Sequence, residues 1–303
     1  MARGTYSDRE LHDATDLLAL IQTWTNPQKE THKAYPVHNY NAKQEEVIFK
    51  QIAGFGMVPE VQEHDNFPVD DFDTPYKQTV TMTKLGFSFE WSAESEETDK
   101  NGIYQPLSKK WAQAFLKTKN QKAADIHNFG FNSAYAWVDG KELYATDHGT
   151  ASGTWANEPS SNLAFGPLAL QQAIEEMLDV VEHRGDPDPK MGPFILHVPN
   201  ALALYAEEVV QSLLRADTAN NNTNAPIRSR IQMLNVDPYF TSTTAWFLQE
   251  ADVNEQGMYL WQVRPLTVKE GFEARNDTHW VAASERYVYG IQDARGHWGT
   301  LGA

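Results

Sequence analysis

The chain of 303 residues contains no cysteine. That excludes a disulfide scaffold and any thiolate-held metal, and it suits a reducing cytosol. Bases are scarce: 25 Lys and Arg stand against 41 Asp and Glu, a net charge of -16. Tight binding to duplex nucleic acid needs bases gathered on one face, so this balance argues against it. No uninterrupted apolar run approaches the ~18 residues of a membrane helix. The first turns carry Arg3, Asp8, Arg9, Glu10, Asp13 and Asp16, so the basic-then-apolar order of a signal peptide is missing. What is present is ordinary globular material. Hydrophobic residues make up 41%, and nine Trp, twelve Tyr and fourteen Phe exclude disorder throughout. The length fits roughly two domains with a large core.

Ser7-Asp8-Arg9-Glu10 reads as a capping box, followed by Leu11, Ala14, Leu17, Leu18, Ile21 and Trp24 at helical spacing. Asn26-Pro27 ends that helix. So short a stripe must pack on another body. Residues 28–41 are polar and read as an arm. Residues 47–61 look extended, residues 62–76 are acidic and proline-bearing, and residues 78–91 are rich in Thr, Val, Phe and Trp. Two strands with a polar tip predict a long hairpin, which lies on something else because it has no core of its own.

The longest helix is expected over residues 106–129, with Pro106 in its first turn. Leu107, Trp111, Ala114, Phe115, Thr118, Lys122, Ile126 and Phe129 line one face, and Gly130 closes it. About 24 residues span about 36 Å. A second helix starts at Pro167 and buries Leu170, Ala173, Ile174, Met177, Leu178 and Val181. His183 and Arg184 suit its end, and Gly185 caps it. A buried strand over 194–198 leads to a third helix, capped by Asn200 and running to Leu214, with Leu202, Tyr205, Val209, Leu213 and Leu214 inside. Residues 217–226 form an Asn-rich loop. Strands follow over 231–236, 245–249, 258–263 and 278–291. This mixture lacks regular βαβ order, so the fold class is α+β.

Catalytic motifs are missing. Gly54-Phe55-Gly56 begins like a dinucleotide fingerprint, but Pro59 takes the third glycine position and no helix follows. The Gly149–Gly153 segment spells no nucleophile elbow. The ten His are never paired at i, i+4, as a zinc-protease helix needs. Asp147-His148 is the best polar pair; it reads either as an acid–base or metal dyad of a hydrolase or as a turn bonding its own backbone. Arg184-Gly185-Asp186 spells an integrin ligand, though a helix stop and turn explain it. The acids of 62–76 lack the spacing of an EF-hand calcium loop. No catalytic residue, metal or cofactor is expected.

The order of parts resembles the major capsid protein of tailed bacteriophages, the Hong Kong 97-like fold, in its Mu-like head-subunit branch. The residues that carry the likeness are local. Gln51-Ile52-Ala53-Gly54-Phe55-Gly56-Met57-Val58-Pro59-Glu60 is similar to that branch's hairpin strand. Phe131-Asn132-Ser133-Ala134, Asp139-Gly140-Lys141 and Ala145-Thr146-Asp147-His148 are similar to its segment after the spine helix. Val198-Pro199, Leu213-Leu214-Arg215, Thr218-Ala219-Asn220-Asn221, Asn235-Val236-Asp237-Pro238-Tyr239 and Ala245-Trp246-Phe247-Leu248 extend it to residues 45–299. The resemblance implies an N-terminal arm (1–44), an extended hairpin loop (45–91), a peripheral domain with the spine helix (92–150 and 264–303) and an axial domain (151–263). It implies self-assembly into pentamers and hexamers of an icosahedral virion shell, formed in the host cytoplasm around double-stranded DNA without sequence-specific binding.

Partners implied are further copies of the chain, a separate scaffolding protein, a portal and cement or decoration proteins, with no membrane. A cellular nanocompartment shell is the alternative on the same fold. Some relatives crosslink a hairpin lysine, but residues 57–76 hold no Lys. Asp147-His148-Gly149 stands where such proteins often read Asp-His-Pro. The candidate inter-subunit contacts are the hairpin acids Glu63, Asp65, Asp70, Asp71 and Asp73, the spine lysines Lys109, Lys110 and Lys117, and Asn220, Asn221 and Asn222 near a capsomer axis. Asp70 and Asp71 reversed to Lys are expected to block or loosen assembly.

Overall fold

The computed structural model describes residues 30–41, 46–51, 53–71, 74–98, 104–137, 139–212, 225–252 and 257–303. The capping-box helix, Asp73 and the Asn-rich stretch through Asn224 lie outside the described residues. In chain order the elements are β1 (Val37–Asn41), β2 (Glu46–Lys50), β3 (Lys77–Thr81), β4 (Thr83–Ser92), α1 (Ala93–Glu97) and α2 (Tyr104–Asn128). Then come β5 (His148–Gly149), β6 (Thr154–Trp155), α3 (Pro167–Leu178), β7 (Phe194–Pro199), α4 (Ala203–Gln211) and α5 (Ala225–Arg230). The chain finishes with β8 (Ile231–Asp237), β9 (Trp246–Glu250), β10 (Met258–Glu273), β11 (Thr278–Ile291) and β12 (His297–Thr300). The α+β class holds.

Two four-stranded sheets organise the chain. The first runs β1-β10-β11-β4 and the second β12-β9-β7-β8. Part of the polar arm is therefore a strand: β1 pairs parallel to β10, Val37 opposite Met258. Sequence pattern stopped β10 at Val263, before Pro265. The strand instead continues to Glu273 across register shifts between Gln262 and Thr267. Among the described residues β1 pairs with β10 no further than Gln262, and a proline without an N–H is tolerated where a strand has no partner.

The expected hairpin is shorter than its sequence suggests. Among the described residues Glu46–Lys50 pairs with Lys77–Thr81 and no further, and β4 leaves them to join β11. The described residues between Gln51 and Tyr76 carry no strand beyond an isolated bridge at Ala53. β12, grouped by the sequence division with the peripheral residues, hydrogen-bonds to β9 in the second sheet.

Helix α2 has 25 residues, about 38 Å at 1.5 Å each. Its first half buries Trp111 and Phe115 against Val268, Val281 and Ala283, as the spacing predicts. In its second half Ile126 stays buried as the spacing predicts, but the buried face is wider. Ala123, Ala124 and His127 are buried, whereas Lys122 and Phe129 are exposed. The cause is the arm, whose His32 amide donates to Asn120 Oδ1 at 3.2 Å, so this side of the helix is also covered. Gly130 ends it where a Cβ would meet the Tyr144 ring at 2.6 Å.

Helix α3 buries Leu170, Ala173, Ile174 and Met177, but it stops at Leu178 with Asp179 as its C-cap. His183, Arg184 and Gly185 therefore do not terminate it. They form a turn closed by Glu182 N–H to Asp186 C=O (2.8 Å) and Gly185 N–H to Glu182 C=O (2.9 Å). Gly185 has φ +95°, which favours glycine. Helix α4 begins after a 3₁₀ turn and buries Ala206, Val209 and Val210, leaving Tyr205 half in water. Leu213 and Leu214 lie outside the described residues, and α5 begins inside the predicted loop, at Ala225. Together α3, α4, Trp246 and Trp298 close one core around β7.

Candidate assembly surface

The loop between β2 and β3 is the most solvent-exposed part of the described chain. Val58 is 94% exposed, Val69 96%, Phe67 84% and Met57 77%. Apolar side chains held in water in such number on one loop mark an interaction site. The acids that punctuate them, Glu60, Glu63, Asp65, Asp70 and Asp71, are exposed as well.

The loop is anchored at three points. At its base, Gln51 N–H donates to Tyr76 C=O (3.0 Å), and Gln51 Nε2 donates to Asp293 (2.9 Å). The Tyr76 ring meets His183 edge-on at 5.6 Å. Further out, Arg184 Nη1 donates to both oxygens of Asp70 (3.0 and 2.9 Å), and Nη2 donates to the Asp71 carbonyl. Gly56 N–H donates to Asp70 Oδ2 at 2.9 Å. The Gly56 amide, then the guanidinium, hold the Asp70 carboxyl below the usual carboxylate range. Sequence reasoning assigned Arg184 to a helix end and missed this role. The only signal was a lone base in a Gly-Asp turn.

On α2, Lys110 and Lys117 are exposed; the Lys109 side chain lies outside those described. Lys119 sits 5.4 Å over the Tyr287 ring, and Lys122 lies 4.0 Å from Asp125. Among the described residues no ion pair joins the loop acids to these lysines within one chain. The end of α2 instead borders an aromatic groove of about 290 Å³, lined by Leu85, Lys122, Phe129, Tyr135, Trp137 and Val288. The Phe129 and Tyr135 rings stack there at 4.5 Å.

Asp147 and His148 do not form the dyad their adjacency suggests. Asp147 pairs with Lys141 at 2.5 Å in solvent. His148 is buried, stacks on Trp155 at 4.7 Å, and shares a 2.5 Å contact with Asp139 through Nδ1 and a 3.1 Å contact with Asn157 through Nε2. Burial pushes the Asp139 carboxyl up, but His148 outweighs it and holds that carboxyl below its ordinary value. Asn157 goes on to the Ala145 amide and the Leu143 carbonyl. The cluster fastens the β5–β6 turn to the chain before it. His148→Ala should therefore cost about 2 kcal/mol by stranding the Asp139 Oδ2 oxygen, read as a lower urea midpoint with unchanged slope.

A second buried group had no sequence signal. His127 from α2, His197 from β7 and His297 from β12 meet, with ring centroids 5.3 and 6.1 Å from His127. Tyr35 of the arm stacks on His197 at 4.6 Å and donates to Asp237 at 2.6 Å. The three histidines are 70 to 170 positions apart, so no short motif could register them. No cluster of His, Asp or Glu among the described residues is arranged to hold a metal ion. No described helix is long and apolar enough to cross a membrane.

Comparison with known proteins follows the same line. The family model described as phage capsid protein matches residues 75–298. No curated protein matches the chain. Among solved structures, the capsid of cyanophage P-SCSP1u aligns with TM-score 0.57 and 10% identity over 89% of this chain and 87% of that one. The mature capsid of bacteriophage PhiM1 aligns with TM-score 0.53 and 13% identity, covering 87% and 83%. A virus-like particle from Pyrococcus furiosus aligns with TM-score 0.54 and 11% identity, covering 98% and 100%. The shared fold is that of the Hong Kong 97-like capsids.

Proposed function

Since this chain belongs to the phage capsid protein family, it is a shell protein of a virion capsid, and we propose that it is the major head subunit of a tailed bacteriophage. Copies would close by heterologous contacts into pentamers and hexamers of an icosahedral shell around double-stranded DNA. The observation that carries this reading is the loop of residues 51–71, with Phe55, Met57, Val58, Phe67 and Val69 in solvent. A subunit keeps such side chains outside only if a neighbour covers them.

The reading gives each charged group work. Glu63, Asp65 and Asp71 of one copy, and Asp73 beside them, would approach Lys109, Lys110 and Lys117 of the next. Phe67 or Val69 would fill the aromatic groove beside Lys122. Single exposed pairs contribute only about 0–1 kcal/mol, but a shell repeats them many times. Asn220, Asn221 and Asn222 would hydrogen-bond around a capsomer axis. A shell wall of net charge -16 per subunit repels packaged DNA and lets it slide. A separate scaffolding protein, a portal and cement proteins complete the set of partners.

The test is electron microscopy of the overexpressed chain with and without a co-expressed scaffold. Uniform closed shells or rings of five and six are expected. A compact monomer under every condition would overturn the proposal. Reversing Glu63 and Asp65 to Lys leaves the Arg184 contact intact and should reduce shell yield about tenfold; normal shells would sink the charge contact. The likeness to the Pyrococcus furiosus particle supports a second reading, a cargo-loaded compartment. Nucleic acid or enzyme inside purified shells distinguishes the two.

A further inference from the structure

Among its described residues the loop 51–71 has no strand beyond the isolated Ala53 bridge, yet one side chain reaches both of its legs. Asp70 accepts from Gly56 N–H on the outgoing leg at 2.9 Å and belongs to the returning leg. Arg184 takes both Asp70 oxygens with Nη1 and the Asp71 carbonyl with Nη2. A planar fork can satisfy a carboxylate and a carbonyl together, whereas an ammonium is a point donor.

The turn that carries Arg184 is itself braced. Val181 and Pro187 form an antiparallel bridge behind it. The Ala151 amide donates to His183 C=O at 2.7 Å, and Arg295 Nε donates to Val181 C=O at 2.7 Å. A Cβ on Gly185 would meet Ser152 Oγ, so the turn is seated tightly on the neighbouring loop. A rigid turn grips a segment that lacks regular structure. The thirteen residues past the grip, 57–69, include Met57, Val58, Phe67 and Val69, each more than three-quarters exposed to water.

We infer that Arg184 is the positioning residue of the loop: its grip on Asp70 and Asp71 sets the direction in which residues 57–69 leave the subunit. The loop's use as an inter-subunit surface rests on the function proposed above, but the grip itself is a property of the single chain. The Asp70 carboxylate is then spent within its own subunit, and the described loop acids left for a neighbour are Glu60, Glu63, Asp65 and Asp71.

The absence of cysteine makes the test clean. Glu63→Cys, at the far end of the loop, and Leu204→Cys, exposed on α4, accept spin labels on the full chain. Distance distributions are measured by pulsed electron resonance on unassembled subunits. The gripped loop should give one narrow distribution. Arg184→Ala should broaden it at least about twofold, and Arg184→Lys should fall between, since it cannot hold both partners. Raising salt to 1 M, where screening reaches about 3 Å, should broaden the parent but not Arg184→Ala. Circular dichroism confirms that each variant is folded. Equal widths in parent and Arg184→Ala, or no response of the parent to salt, would overturn the inference while leaving shell assembly untouched. Failure of the parent to form shells, with the grip present, would strike only the functional proposal.

Discussion

Taking the subunit from pH 7 to pH 4 should cost its fold about 3 kcal/mol through His197 alone. Burial drives the His197 pKa from 6.5 down to about 3. Between those values the unfolded chain binds a proton that the folded chain refuses. Stability therefore falls as pH falls, by about 1.4 kcal/mol per pH unit for this one group. His127 acts in the same direction: burial first, then His197 and His297, hold it well below its ordinary value. The buried Asp237 carboxyl, pushed up by desolvation, acts the opposite way, because its strain is relieved as it takes a proton.

Comparison with a variant separates these contributions. His197 accepts from Asn235 Nδ2 (2.9 Å) and meets Gln249 Oε1 (3.2 Å), and His197→Gln keeps a neutral polar group there at all pH values. Urea unfolding of both proteins at pH 7, 5.5 and 4 reads the difference. The parent's advantage over the variant should shrink by about 3 kcal/mol across that range, or reverse. Parallel stability curves would show that His197 titrates as if unfolded. The packing makes a structural consequence specific. Tyr35 lies flat on His197, so the arm should be the first segment to lose hydrogen-exchange protection in acid.

Trp298→Ala should remove about 4 kcal/mol, close to the whole stability of a marginal domain. Trp298 is fully buried, lies 4.8 Å from Trp246, and donates through its indole N–H to Glu176 at 2.7 Å. Removing it opens a large cavity between α3 and the second sheet and leaves a carboxylate oxygen without its donor. Trp298→Phe keeps most of the apolar volume and should cost about 1–2 kcal/mol, mainly the lost hydrogen bond. Thermal melts of the unassembled subunit rank the three proteins. An Ala variant within 1 kcal/mol of the parent would mean that α3 collapses onto the gap.

The two predictions divide sequence from structure. Trp298 carries no motif in the sequence, and β12 brings it to Trp246, 52 positions earlier, in the second sheet. The histidines looked like ten scattered residues; three-dimensional closure put three of them in one core. Local elements were legible because their causes are local. Pro106, the Trp111–Phe115 spacing and Gly130 specify α2, and residues 278–291 read as the strand that β11 is. Where a second segment lay across an element, pattern failed. The arm over Asn120 widened the buried face of α2, and β10 runs through Pro265 where no described residue pairs with it on the β1 side.

Composition, charge sign, the absence of cysteine and the order of helices and strands were thus set by the chain itself, and with them the fold class and the family. Which acid faces a base, and which histidine stays neutral, was decided by tertiary packing. Arg184 meets Asp70 across 114 positions, and His148 takes Asp139 rather than its neighbour Asp147. Coulomb energy and desolvation depend on distance and burial, and neither can be read from separation along a chain.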